Sequence, residues 1–246
     1  AVMTDPANCG PVTLSFCQDV QAEAYDYPEA FFDPKVWRIR RPEPDATELA
    51  EVIDLIRAAK SPVIVCGGGV IYSEAEETLG AFATRHNIPV VETQAGKSAL
   101  AQAHPMNFGA SGVDGSAAAN AVSENADLVI GVGTRFQDFT TGSWALFKHP
   151  TRRLVSINVA AYDAVKHGAV PVVSDARVAL EKISAGLGDH KAAAPDVKAR
   201  ANWLDAVTAH CAARVGGDGY RPLDAEVIGA VQRATMLVKH SLYMMR

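Results

Sequence analysis

Five short apolar runs punctuate the middle of the chain, at residues 63–66, 90–93, 128–132, 153–157 and 170–173, with helical patterns between them. Each is too short for a buried helix. The run at 63–66 is apolar at every position, which suits a parallel strand covered on both faces. Strands alternating with helices at this spacing imply right-handed crossovers, and hence one doubly wound, Rossmann-like parallel α/β sheet.

The intervening segments carry helix signals. Asp45 with Glu48 has the spacing of a capping box. Leu49, Val52, Ile53 and Ile56 follow at helical intervals, predicting a helix over 46–59 that Lys60-Ser61-Pro62 stops. Ser73 and Glu76 are expected to cap a helix whose apolar side is Ala75, Leu79, Phe82 and Ala83. An Ala-rich helix is expected over 116–125, and another from Ser174 to about Leu187. The stretch with Gly96, Gly109 and Gly112 reads as irregular. Residues 12–16 read as a further strand, at an edge or detached.

Breaks in the pattern fall at 41–45 (Arg-Pro-Glu-Pro-Asp) and at 188–196. Beyond the second break lie a helix carrying Trp203, Leu204, Val207 and Cys211, a Gly-rich turn at 216–219 and a helix over 223–234. Residues 235–246 have no clear period.

Composition excludes several function classes. Lys and Arg total 23 against 28 Asp and Glu, a net charge of −5, so the chain has no electrostatic footprint for nucleic acid. The four cysteines have no Cys-x-x-Cys spacing and the histidines form no His-Glu-x-x-His, which argues against a zinc site or disulfide framework. Cys66, at the end of an apolar run, reads as a buried small hydrophobe. No apolar stretch approaches the roughly 18 residues of a membrane span and no charged-then-apolar leader occurs, so the expected setting is cytoplasmic.

The candidate binding residues sit at two strand ends. Cys66 leads into Gly67-Gly68-Gly69, and Ile130 into Gly131-Val-Gly133-Thr134-Arg135. In an open parallel sheet, ligands bind beyond the carboxyl ends of the strands, and glycine lets backbone approach a ligand closely. With Gly96, these residues form a candidate nucleotide-type pocket; tight strand-to-helix turns need the same glycines. Neither run is a full Gly-x-Gly-x-x-Gly. Gly96-Lys97-Ser98 ends like a P-loop, but Val91 stands where that pattern needs glycine. Gly109-Ala-Ser111-Gly112 is not a nucleophile elbow. No catalytic or metal-ligating residue emerges.

Longer strings resemble one family. Glu92-Thr-Gln-Ala-Gly-Lys-Ser98, Asp138-Phe-Thr-Thr-Gly-Ser-Trp144 and Gln18-Asp-Val-Gln-Ala-Glu-Ala-Tyr25 resemble thiamine-diphosphate enzymes. Within them the likeness favours the ring-cleaving trihydroxycyclohexanedione hydrolases of inositol catabolism. Residues 36–188 resemble the whole central domain, 10–20 the exit of the pyrimidine-binding domain, and 222–231 the opening of the diphosphate-binding domain.

The resemblance implies a fragment of a thiamine-diphosphate hydrolase that cleaves a carbon–carbon bond of a cyclic 1,2-dione, inactive alone. Thiamine diphosphate and Mg²⁺ are then expected in a full-length, homo-oligomeric parent and not in this chain, and its partners are the flanking domains. Gly217-Asp218-Gly219 looks like the family's magnesium triplet, but no asparagine follows Asn202, so Asp218 reads as a turn residue. Relatives that bind FAD in this domain match at Gly67 to Gly69, 93–96 and 133–135, but carry an acid where Asn158 stands; Gln137 and Phe139 also depart, which argues against FAD. A free-standing dinucleotide-binding module of FAD or NAD type and a ligand-free structural domain are the alternatives.

Overall fold

The computed structural model of the protein describes residues 2–212 and Val227. Six strands among them form one sheet: Pro62–Cys66 (β1), Val90–Glu92 (β2), Asn107–Ala110 (β3), Leu128–Val132 (β4), Arg153–Asn158 (β5) and Val170–Val173 (β6). Their spatial order is β3-β2-β1-β4-β5-β6, and every neighbouring pair is parallel. The five expected strands are all present. β3 is an addition: its Asn-Phe-Gly-Ala sequence carries no strand pattern, and only pairing with β2 makes it one.

The helices are Gln18–Ala22 (α1), Ala46–Ala58 (α2), Gly68–Tyr72 (α3), Glu76–His86 (α4), Ala117–Glu124 (α5), Asp138–Thr141 (α6), Ala161–Ala164 (α7), Ala176–Leu187 (α8) and Val197–Ala212 (α9). They explain why the central strands β1 and β4 are apolar throughout. Ile64, Cys66, Ile130, Val155 and Ile157 face a core built with Val52 and Ile56 of α2, Leu79 and Phe82 of α4, and Leu180 and Ile183 of α8. Val63, Val65, Val129 and Leu154 face the other core, with Ala118 and Ala119 of α5, Phe108, Phe136 and Phe147.

Several helix ends differ from their expected form. Asp45 caps α2 by accepting from the N–H groups of Thr47 and Glu48, but Glu48 does not reach back. Its carboxylate accepts from Val173 N–H at 2.9 Å, satisfying a backbone donor of edge strand β6. Burying Val52 and Ile56 stabilises by about 2 kcal/mol each, against about 1 kcal/mol for the cap, so packing holds α2. Ser73 ends α3 instead of capping α4, and its hydroxyl accepts from Ala176 N–H. Asp175, rather than Ser174, caps α8, accepting from Arg177 and Val178 N–H.

The strand expected at 12–16 does not form. Val12, Leu14 and Phe16 are exposed and unpaired with any strand, and an isolated strand has no ladder to stabilise it. Residues 188–197 lead from α8 to α9, which packs on α5. There Arg200 donates to the carbonyls of Asn107 at 2.8 Å and His104 at 2.9 Å, covering the β3 edge. The turn at 216–219 with Asp218, the helix over 223–234 apart from Val227, and the stretch 235–246 lie outside the described residues.

Candidate functional site

A cavity of about 710 Å³ opens beyond the carboxyl ends of the strands. It spans the switch point of the sheet, where the chain, having laid β2 and β3 to one side of β1, places β4 on the other. Gly67, Gly68, Gly69, Gly133, Thr134 and Arg135 line it together. Gly96 does not: it sits behind the wall, where a Cβ would lie 2.1 Å from the Cys66 carbonyl oxygen.

The glycines serve each other. A Cβ on Gly67 would lie 2.2 Å from the Gly133 carbonyl oxygen, and one on Gly69 would lie 2.6 Å from Gly133 Cα. Gly133 has φ +60°, a conformation other residues adopt at a cost. Their N–H groups are also engaged. Gly67 donates to Val132, Gly69 to Gly133 and Gly133 to Ile157, at 2.9–3.0 Å. Gly96 donates to both the carbonyl and the hydroxyl of Thr93. These four are therefore a backbone-packing device joining the turns after β1, β2 and β4, and their N–H groups are already bonded to protein.

The neighbouring side chains complete the turns. The Thr134 hydroxyl accepts from Phe136 N–H at 3.2 Å. Asn158 donates through Nδ2 to the Thr134 carbonyl at 3.3 Å and accepts through Oδ1 from Ala160 N–H at 3.0 Å, so its amide latches the β4 and β5 turns together. Arg135 is exposed and has no ion pair or hydrogen bond among the described residues.

Two groups of charges at the cavity are paired. Arg41 bridges buried Asp175 at 2.9 Å and Glu74 at 3.1 Å. Asp163 pairs with Lys166. Two lining charges have no ion pair among the described residues: Arg135, and Asp5, whose carboxylate accepts from Ala7 N–H and the Asn8 amide. Arg135 suits an anionic group on a ligand there. Among the described residues no histidine lines the cavity, and the Ser73 and Ser174 hydroxyls are bonded to backbone.

Sequence reasoning missed the roles of Asp175, Tyr72 and residues 3–7, which also line the cavity. Asp175 carried a helix-start signal that Ser174 shared; the other positions carried none. Behind β2, Glu92 is fully buried and pairs with Lys97 at 3.2 Å. Burial, then the charges of Glu92 and Glu76, push the Cys66 thiol well above its ordinary value. That keeps it protonated and unreactive, as expected of a small core hydrophobe.

Among the described residues no group of three or more His, Cys, Asp or Glu could hold a metal ion, and no helix is long and apolar enough to cross a membrane. No catalytic step is assigned to a metal or cofactor here.

Comparison with known proteins gives a consistent set of relatives. The family model described as thiamine pyrophosphate enzyme, central domain, matches residues 49–183. The chain is 51% identical over 186 residues to the 3D-(3,5/4)-trihydroxycyclohexane-1,2-dione hydrolase of Clostridium perfringens, covering 76% of this chain and 29% of that protein. It is 48% identical over 192 residues to the enzyme of the same name from Geobacillus thermodenitrificans, covering 78% and 30%. Against the Clostridium botulinum hydrolase it is 49% identical over 180 residues, covering 73% and 28%. The chain thus spans under a third of the length of these curated relatives.

Proposed function

The chain belongs to the thiamine pyrophosphate enzyme family through its central domain, and on that premise we propose that it is the central part of a thiamine-diphosphate-dependent hydrolase. The substrate we propose is a cyclic 1,2-dione of inositol catabolism. Water would open the ring between the adjacent carbonyls, leaving a carboxylic acid on one carbon and an aldehyde on the other. The observation that carries this reading is the 48–51% identity to trihydroxycyclohexanedione hydrolases.

In this reading residues 36–188 are the central domain, 1–35 the exit of a pyrimidine-binding domain, and 189–246 the approach to a diphosphate-binding domain. Thiamine diphosphate supplies the electron sink for carbon–carbon cleavage, and Mg²⁺ anchors its diphosphate. Both are held by other parts of a cytoplasmic, homo-oligomeric parent. The central domain fixes the geometry of its neighbours. The cavity wall of Gly67, Gly68, Gly69, Gly133, Thr134 and Arg135, backed by Gly96, is proposed as a pocket for an anionic, nucleotide-like group, with Arg135 as the cation that would meet it.

The test is reconstitution. The 246-residue chain alone should neither bind thiamine diphosphate with Mg²⁺ in calorimetry nor hydrolyse the dione. The same residues, replacing the matching 186-residue segment of the Clostridium perfringens hydrolase, should give an active chimera. Micromolar thiamine diphosphate binding by the isolated chain, or a folded but inactive chimera, would overturn the assignment.

A further inference from the structure

Large exposed apolar side chains are not scattered over the central part of the molecule. Between residues 41 and 196 they are Tyr72, Val113, Phe139, Tyr162 and Val165, from 55% to 82% exposed. Tyr72 follows the carboxyl end of β1, Val113 that of β3, Phe139 that of β4 and Tyr162 that of β5; Val165 lies on the crossover to β6. The opposite end of the sheet, where these strands begin, has none in that span of described residues. Single exposed apolar residues are ordinary. Four of them on the segments that follow four different strands, all at one end and three of them aromatic, have the composition of an interface.

We infer that this end of the sheet is the surface on which the remainder of the full-length protein docks, with Tyr72, Val113, Phe139 and Tyr162 as its apolar contacts. The inference rests on the reading that this chain is the central part of a longer thiamine-diphosphate enzyme. The surface is built in advance. Val113 N–H donates to the Phe139 carbonyl at 2.9 Å, and the Ser111 hydroxyl reaches the Thr140 carbonyl. Gly112, at φ +112°, has no room for a Cβ, which would lie 2.0 Å from the Phe139 carbonyl oxygen. The loops after β3 and β4 therefore present Val113 and Phe139 as one unit. Lys166 lies 4.5 Å over the Tyr162 ring, giving that side chain a fixed neighbour as well. A surface ordered before contact loses less entropy on binding.

Two observations choose the occupant. The chain already approaches this end from its N-terminal side, since Met3 and Asp5 line the same cavity as Tyr72 and Phe139. The connecting residues 12–39 remain exposed, with Phe16, Phe32 and Trp37 among their uncovered side chains. The curated relatives are more than three times as long as the match, so a large share of the parent lies outside it.

The active chimera described above carries the test. Amide exchange in loops 111–115 and 137–142 should be at least about tenfold slower in the chimera than in the isolated 246-residue chain. Tyr72→Ser with Phe139→Ser should lower chimera turnover about tenfold or more. The same pair should leave the thermal unfolding of the isolated chain unchanged, and Lys60→Ser, just before β1, should leave turnover unchanged. Equal exchange in both proteins, or full turnover in the double variant, overturns the docking surface while leaving the functional reading intact. Protection that appears in the isolated chain as its concentration rises identifies a second copy as the occupant and equally overturns it. A folded chimera without turnover strikes at the functional reading itself, whatever its exchange pattern.

Discussion

Gly67 and Gly133 meet backbone to backbone: a Cβ on Gly67 would stand 2.2 Å from the Gly133 carbonyl oxygen. This contact joins the turns leaving β1 and β4 at the switch point of the sheet. Gly67→Ala should therefore destabilise the protein by about 3 kcal/mol, since the obstructing atom is backbone and cannot rotate away. At Gly168, with φ +69° and open space around it, alanine should cost only about 1 kcal/mol of backbone strain. Urea denaturation of the two variants measures the difference, and equal losses would refute the steric account.

Arg200 ties α9 to the edge of the sheet through the carbonyls of Asn107 and His104. Arg200→Ala should weaken that docking by about 2 kcal/mol, the usual scale for hydrogen bonds from a charged donor. The expected signature is local. Amides of α9 and residues 188–196 should exchange faster and trypsin should cut there first, while β1 and β4 keep their protection.

Acid should destabilise the fold. His86 is fully buried, donates through Nδ1 to the His190 carbonyl at 2.7 Å, and takes the Ser184 hydroxyl on Nε2 at 2.8 Å. Burial holds its pKa below the ordinary imidazole value, and burial with the Arg200 charge does the same for His104. As pH falls through about 6.5, the unfolded chain takes up these protons before the folded one does. Stability present above that pH is lost below it. The melting temperature should drop between pH 7.5 and 5.5, and His86→Gln should flatten the slope; an unchanged slope would contradict the assignment.

Cys66 should be silent to thiol reagents. It is fully buried, whereas Cys9 and Cys17 are exposed. Mass spectrometry after brief iodoacetamide treatment should find label on Cys9 and Cys17, and on Cys66 only after denaturation. Prompt labelling of Cys66 would mean that the β1 end opens readily.

Much of the architecture is legible in the chain because burial leaves local marks. A strand covered on both faces must be apolar at consecutive positions, as 63–66 and 128–132 are. A helix against a sheet must be apolar at helical intervals, as Leu79, Phe82 and Ala83 are. The glycines at 67–69 and 133 likewise mark a place where chain passes close to something.

What they pass close to was decided by tertiary structure. Strand order sets Gly67 against Gly133, and pairing with β2 alone turns Asn107–Ala110 into a strand. Trp203 of α9 lies close enough to Gly109 that a Cβ there would be 2.8 Å from its ring. Glu48, which looks like half of a capping box, instead serves Val173, 125 residues away. Hydrophobic burial depends on which residues are apolar, and the sequence states that directly. A hydrogen bond or a close backbone approach depends on which strands become neighbours and in what register, and no local pattern carries that information.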